Sequence, residues 1–394
     1  MIAAGVLANL CSGAAYSFSV FKGPLKARLG CSEPHVALAF SLSLAFLPVG
    51  MILAGRLADR GRARPVVAFG GLVFGTGMFL AGYSTSVAWL YATFGMMMSF
   101  GNGAVYGAIV ATAVKWFPER RGMASGIVVG ALGLGTLLIA PLAQHMIDSP
   151  SLGVLGAFKV LGAAFVVITL AASWFITTPP ADYAPSHVGE QHTRSDVNLN
   201  WREMLVKPRF WLLYVVYVAG AFSGLMVISQ AASIAQEVTG LGASTAALVV
   251  SVLGLANASG RLFWGAISDR IGRFEALMLM FAITSLVMFA FMRLAQAPAG
   301  LAVATLVVGL CYGGYLGTFP SLCADSFGSL YLSVNYGLLF SAFSVAGLLG
   351  PWVGALLKES TGGYAEGFMV AGVIAAFGLL VALAGRMASR RQNS

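Results

Sequence analysis

GRLADRGRAR, from Gly55 to Arg64, and GAISDRIGRF, from Gly265 to Phe274, are two copies of one loop. Each sets an Asp-Arg pair four residues after a glycine: Asp59-Arg60 after Gly55, and Asp269-Arg270 after Gly265. Each copy also follows the second long apolar run of its half of the chain. A glycine permits a tight turn, and the aspartate can cap or salt-bridge a neighbouring helix end. Repetition at a long period points to a duplicated architecture. Working outward from the two loops gives the whole fold.

A helix that crosses a bilayer needs about 20 consecutive apolar residues. On that scale six spans precede a polar stretch and six follow it. The first six run near 1–21, 34–57, 65–83, 87–114, 122–147 and 152–177. The second six run near 209–233, 243–267, 274–295, 298–324, 330–357 and 366–387. The expected fold class is an all-α membrane protein of twelve transmembrane helices in two six-helix bundles. Its parts are an N-terminal bundle over 1–178, a linker over 179–208 and a C-terminal bundle over 209–394. The linker carries Pro179, Pro180, Pro185, His187 and His192, with a short helix expected around Trp201 to Val206.

Composition agrees. Of 394 residues, 58% are apolar and 9% charged, against roughly 25% charged in an ordinary soluble domain. Lipid must therefore be the solvent for most of the surface. The 49 glycines suit close helix approach within a membrane. A net charge of +9 would suggest nucleic acid if the cations formed one patch, but they sit in short loops between apolar spans. Sixteen of the 23 Lys and Arg fall on the side that holds loops 2–3, 4–5 and 8–9, the linker and the C-terminus. The opposite side holds five, Lys22, Lys26, Arg28, Arg293 and Lys358, while Lys159 and Arg261 lie within spans. By the positive-inside rule the linker and C-terminus are expected to be cytoplasmic, in a multi-pass protein of the cell inner membrane. The first apolar stretch starts at Met1 without a cleavage site behind it, so it is read as a span and not a leader. With no basic tail ahead of that span, a short native N-terminus is expected to be missing. Cys11, Cys31, Cys311 and Cys323 show neither disulfide nor zinc spacing. No metal or other cofactor is expected. HExxH, GxSxG and a buried carboxylate pair are all absent from the sequence, which argues against an enzyme. Two matched six-span halves are what a rocking carrier requires.

The doubled loop resembles the G-x-x-x-D-R-x-G-R signature of the major facilitator superfamily. The second copy matches throughout; the first departs after Arg60, where Gly61-Arg62 comes one residue early. Within that superfamily the chain is similar to the monocarboxylate transporter and oxalate:formate antiporter branch. The residues that carry this are YSFSVFKGPL (Tyr16 to Leu25), FPERRGMASGI (Phe117 to Ile127), Asn257 to Arg261, and NYGLLFSAF (Asn335 to Phe343). The resemblance implies a secondary transporter of small monocarboxylates such as lactate and pyruvate, with protons in symport and the lipid bilayer as the expected partners and the protein acting as a monomer. Exchange of oxalate-type anions, or sensing without flux, are the rival readings.

All 14 acidic residues lie in loops or at span ends, which leaves Arg261 on span 8 as the expected anchor. An arginine at that depth costs at least about 2.5 kcal/mol unless it meets water or a partner. Its rigid fork suits a carboxylate. Overlaying the two loops puts Met51 at the corresponding place in the first half, so the arginine is not shared scaffold. The rival is a side chain that snorkels to the headgroups. Asn257 lies one turn before it and is expected to orient the guanidinium; helix packing is its rival role. In animal-type monocarboxylate transporters this pair resembles Asp-x-x-x-Arg, and several carry a lysine where Tyr16 stands, so both departures remove groups credited with proton handling. Tyr16 on span 1, Asn102 and Tyr106 on span 4, Tyr312 on span 10, Phe340 on span 11 and Leu132 on span 5 complete the expected substrate site, with Tyr315, Phe319, Tyr336 and Phe343 as neighbouring aromatics. In the oxalate exchanger the position of Phe343 resembles a lysine. One cation among aromatics fits one carboxylate. Lys159, near the external end of span 6, is read as snorkelling.

Overall fold

The computed structural model describes residues 1–180, 183, 198–240 and 243–393. Most of the linker, with Pro185, His187 and His192, lies outside the described residues. The elements are helical: α1 (Ile2–Ser12), α2 (Phe18–Leu29), α3 (Glu33–Asp59), α4 (Ala63–Ala81), α5 (Val87–Leu90), α6 (Ser99–Trp116), α7 (Arg121–Asp148), α8 (Gly153–Ser173), α9 (Trp201–Val206), α10 (Pro208–Glu237), α11 (Ala243–Ile271), α12 (Arg273–Leu294), α13 (Pro298–Phe327), α14 (Leu332–Thr361) and α15 (Ala365–Asn393). Ten helices are long and apolar enough to cross a membrane, and the bent pair α1–α2 makes an eleventh. The 29-residue α11 stands in the eighth place of the series, so the order of twelve spans is the expected one.

Two spans are less regular than periodicity suggested. The first continues to Leu29 and bends by 40°, because a 3-10 turn over Gly13–Ala15 interrupts it; the expected end near residue 21 was too early. The fourth enters the bilayer through α5 and a π-helical stretch, Tyr91–Met98, before α6 begins. Each π turn shifts the helical phase, and such turns often lie beside functional sites. The linker helix forms at Trp201–Val206 and starts with a capping box, in which Asn200 accepts from the Glu203 backbone while the Glu203 carboxylate accepts from the Asn200 N–H.

The bundles meet along two seams, α7 against α11 and α3 against α14. At one end of both seams sit the repeated loops, and there each aspartate caps a helix of the other bundle. Asp59 accepts from the backbone N–H of Ser333 at 3.0 Å and of Val334 at 3.1 Å, at the start of α14. Asp269 accepts from Gly122 at 2.9 Å and Met123 at 2.8 Å, at the start of α7. A carboxylate at a helix N-terminus pairs with orphan N–H groups and with the helix dipole. The early Gly61 does not spoil the first copy: φ is +81° at Gly61 and +102° at Gly272, so both loops turn on a residue free of Cβ strain. Lys115 pairs with Asp59 at 3.1 Å, and Asp325 bridges Arg121 and Arg273 at 2.8 and 2.9 Å. This repeat-loop face is closed.

Candidate functional site

The site begins part-way along the α7–α11 seam. Arg261 is 1% exposed, and it is the single charged residue among the fully buried described residues. Its Nε donates to Asn257 Oδ1 at 3.3 Å, as the i,i+4 spacing on α11 anticipated. Its Nη1 donates to the Val129 carbonyl on α7 at 2.7 Å. The side chain therefore crosses from one bundle to the other and does not run out to the headgroups. A close approach of the backbones makes this possible: a Cβ on Gly126 would strike the Arg261 carbonyl and crowd Leu262 Cα. Two of the five guanidinium N–H groups are used in these contacts, and no described carboxylate pairs with it.

Aromatic side chains from both bundles surround the guanidinium. Tyr16, Tyr106, Tyr217 and Tyr312 all lie within its electrostatic reach. Tyr16 stands at the bend of the first span and keeps partial exposure. The Tyr106 hydroxyl is 3.3 Å from that of Tyr336, which joins α6 to α14. The Phe340 ring packs between Tyr106, at 5.5 Å between centroids, and Phe343, at 5.0 Å. Leu132 is buried one turn beyond Val129 on α7, in the same core cluster as Tyr106 and Phe340. Asn102 is 1% exposed, and neither end of its amide has a partner. Arg261, Asn257 and Leu132 thus lie on the helices of this seam, Tyr106 and Tyr312 within electrostatic reach of the guanidinium and Phe340 against Tyr106, with Asn102 one turn along α6 from Tyr106.

Not every expected neighbour faces inward. Tyr315 turns to α12, where its hydroxyl meets Thr284 at 3.4 Å. Phe319 stacks on Tyr217 with centroids 3.9 Å apart. Lys159 lies over the Tyr83 ring at 3.8 Å, away from the site. Sequence reading missed Tyr217, Asn9 and Ser12. Tyr217 sits in the run WLLYVVYVAG, where nothing distinguishes it from Tyr214. Asn9 donates from Nδ2 to the Val128 carbonyl at 2.8 Å, one residue from the carbonyl that Arg261 holds; a polar amide within an apolar span was the available signal.

Below Arg261, on the repeat-loop side, Ser125 Oγ donates to the Gly317 carbonyl at 2.8 Å and lies 2.9 Å from Ser321 Oγ. These contacts also cross between bundles. Ser344 Oγ donates to the Leu44 carbonyl at 2.6 Å on the other seam. The arrangement is a buried cation in an aromatic enclosure, set on a seam of polar contacts that must break if the bundles rock apart.

Comparison with known proteins identifies the family and the fold. The Major Facilitator Superfamily model matches residues 4–351. The chain is 30% identical over 363 residues to the oxalate:formate antiporter of Oxalobacter formigenes, covering 92% of this chain and 85% of that protein. It is 26% identical over 350 residues to monocarboxylate transporter 12-B of Danio rerio, covering 82% and 72%. Among solved structures, FucP in the outward conformation superposes with a TM-score of 0.73 at 14% identity, covering 98% of each chain. The proton:xylose symporter XylE gives 0.75 at 13%, covering 96% of this chain and 94% of that one. Likeness at such identity shows the fold alone.

Proposed function

The chain belongs to the major facilitator superfamily of membrane transporters, and on that premise we propose that it carries small monocarboxylates, lactate and pyruvate among them, with Arg261 as the anchor of the carboxylate. It is a transporter and not an enzyme. The observation that carries the substrate reading is the uncompensated guanidinium, 1% exposed, whose partners Asn257, Val129 and Tyr16 are all neutral. A carboxylate is the complement of its free N–H groups. Asn257 holds the fork in orientation. Tyr106 and Tyr312 supply hydroxyls, Tyr16 stands at the bend of the first span, and Phe340 with Leu132 walls off the organic body. The printed names of the two relatives above, an oxalate:formate antiporter and a monocarboxylate transporter, support an anionic substrate.

Binding neutralises the buried charge, which lowers the cost of moving it while the bundles rock. In the symport reading, the proton rides on the substrate or on ordered water beside Arg261. That no described carboxylate pairs with Arg261 favours a second mode as well: exchange of one anion for another, which needs no titrating side chain. We place the repeat-loop face in the cytoplasm of an inner-membrane monomer, on the strength of the Lys and Arg asymmetry.

Counterflow of labelled lactate in proteoliposomes tests the reading. Accumulation against unlabelled lactate inside the vesicles is expected, and a protein that gives none is not this carrier. Running the same uptake with and without a proton gradient separates symport from exchange.

A further inference from the structure

The proposed anchor accounts for one end of a substrate, yet the buried polar atoms extend beyond it. Asn9 of α1 and Arg261 of α11 hold the carbonyls of adjacent α7 residues, Val128 and Val129. Three residues after Asn9 on α1 comes Ser12, which is fully buried and whose hydroxyl has no partner. The register of α1 against α6 shows what Ser12 faces. A Cβ on Gly5 would sit 2.8 Å from Ile109. The two helices run in opposite directions, so seven residues along each, two turns and hence the same face, set Ser12 opposite Asn102. The Asn102 amide is likewise buried and unpartnered at both ends. Two unpartnered polar groups thus share one level, about one turn or about 5 Å beyond that of Asn9 and Arg261, with no hydrogen bond between them.

The geometry points to Asn102 and Ser12 as a hydroxyl-binding subsite that selects hydroxylated monocarboxylates over unsubstituted acids of the same length. This rests on Arg261 holding the carboxylate. A hydroxyl both donates and accepts, as do an amide and a serine, so it satisfies groups that a methyl or methylene leaves stranded. An alkyl group in that position forfeits the hydrogen bonds and keeps the desolvation cost.

The experiment is counterflow by the full chain in proteoliposomes with two matched pairs, lactate against propionate and 3-hydroxybutyrate against butyrate. The wild type should favour the hydroxy acid in at least one pair by about tenfold. Asn102→Ala should remove most of that preference by slowing the hydroxy acid about fivefold or more relative to the unsubstituted acid. Ser12→Ala should act in the same direction, and Asn102→Gln should restore part of the preference. Arg261→Ala should abolish transport of all four acids. If that variant still carries them, the anchor is wrong, whereas the subsite is judged separately from the ratios in Asn102→Ala. A wild type without hydroxyl preference, an unchanged ratio in Asn102→Ala, or an equal loss for both members of a pair would each overturn the subsite; the last would assign Asn102 a packing role.

Discussion

Arg261 of α11 and Val129 of α7 are joined across the bundle seam by one hydrogen bond, Nη1 to carbonyl at 2.7 Å. The acceptor is neutral and belongs to a helix, so the contact holds the charge without cancelling it. Hydrogen bonds to charged groups contribute roughly 1.5–3 kcal/mol, and a carboxylate adds a compensating charge that a carbonyl lacks. On the proposed reading, an entering anion acts on the same group that bonds one bundle to the other, which would link binding to rocking at one side chain.

Asn257→Asp tests how that side chain is held. Asn257 accepts from Arg261 Nε at 3.3 Å, so an ionised aspartate there would neutralise the guanidinium and compete with the substrate. Lactate affinity at pH 7 should be at least about tenfold weaker than in the wild type. Affinity equal to the wild type would show that Asn257 does not govern the fork.

Phe343→Lys tests charge counting. Phe343 is 1% exposed and packs on Phe340, so a lysine would be a second buried cation without a mate. The variant should lose thermal stability, regain it on adding oxalate, and shift preference from lactate toward oxalate. A stability loss that oxalate does not reverse, with preference unchanged, would count against one cation for one carboxylate.

Much of this was legible in the sequence because membranes punish charge. Few ionisable residues lie within spans, so Arg261 identified itself, and i,i+4 spacing brought in Asn257. The doubled loop announced two bundles, and the structure uses both aspartates as caps. Other features had no sequence signal. The Val129 carbonyl is backbone and carries no residue signature. Tyr217 looks like any interfacial tyrosine until α10 packs it against Phe319. The bend at Gly13–Ala15 and the π-helical entry of the fourth span break the periodicity on which span limits were read. Tyr315 matched its neighbour Tyr312 in type, and packing alone turned it to α12.

Asp59→Ala tests closure of the repeat-loop face. Asp59 caps α14 through Ser333 and Val334 and pairs with Lys115. Loss of an N-cap costs about 1 kcal/mol, or roughly fivefold in an opening equilibrium. A cysteine placed by Ser333→Cys should then react about fivefold faster with a polar thiol reagent when Asp59→Ala is added, and Asp269→Ala should loosen Met123 at α7 in the same way. Unchanged labelling would mean that the caps do not hold the face shut.

Lactate binding to purified Arg261→Ala, measured by calorimetry beside the wild type, tests the central claim most directly. The account predicts a protein that stays folded and monodisperse but shows no lactate binding at concentrations that saturate the wild type. Affinity within a few-fold of the wild type would contradict it, because the carboxylate would then be held by something other than that guanidinium.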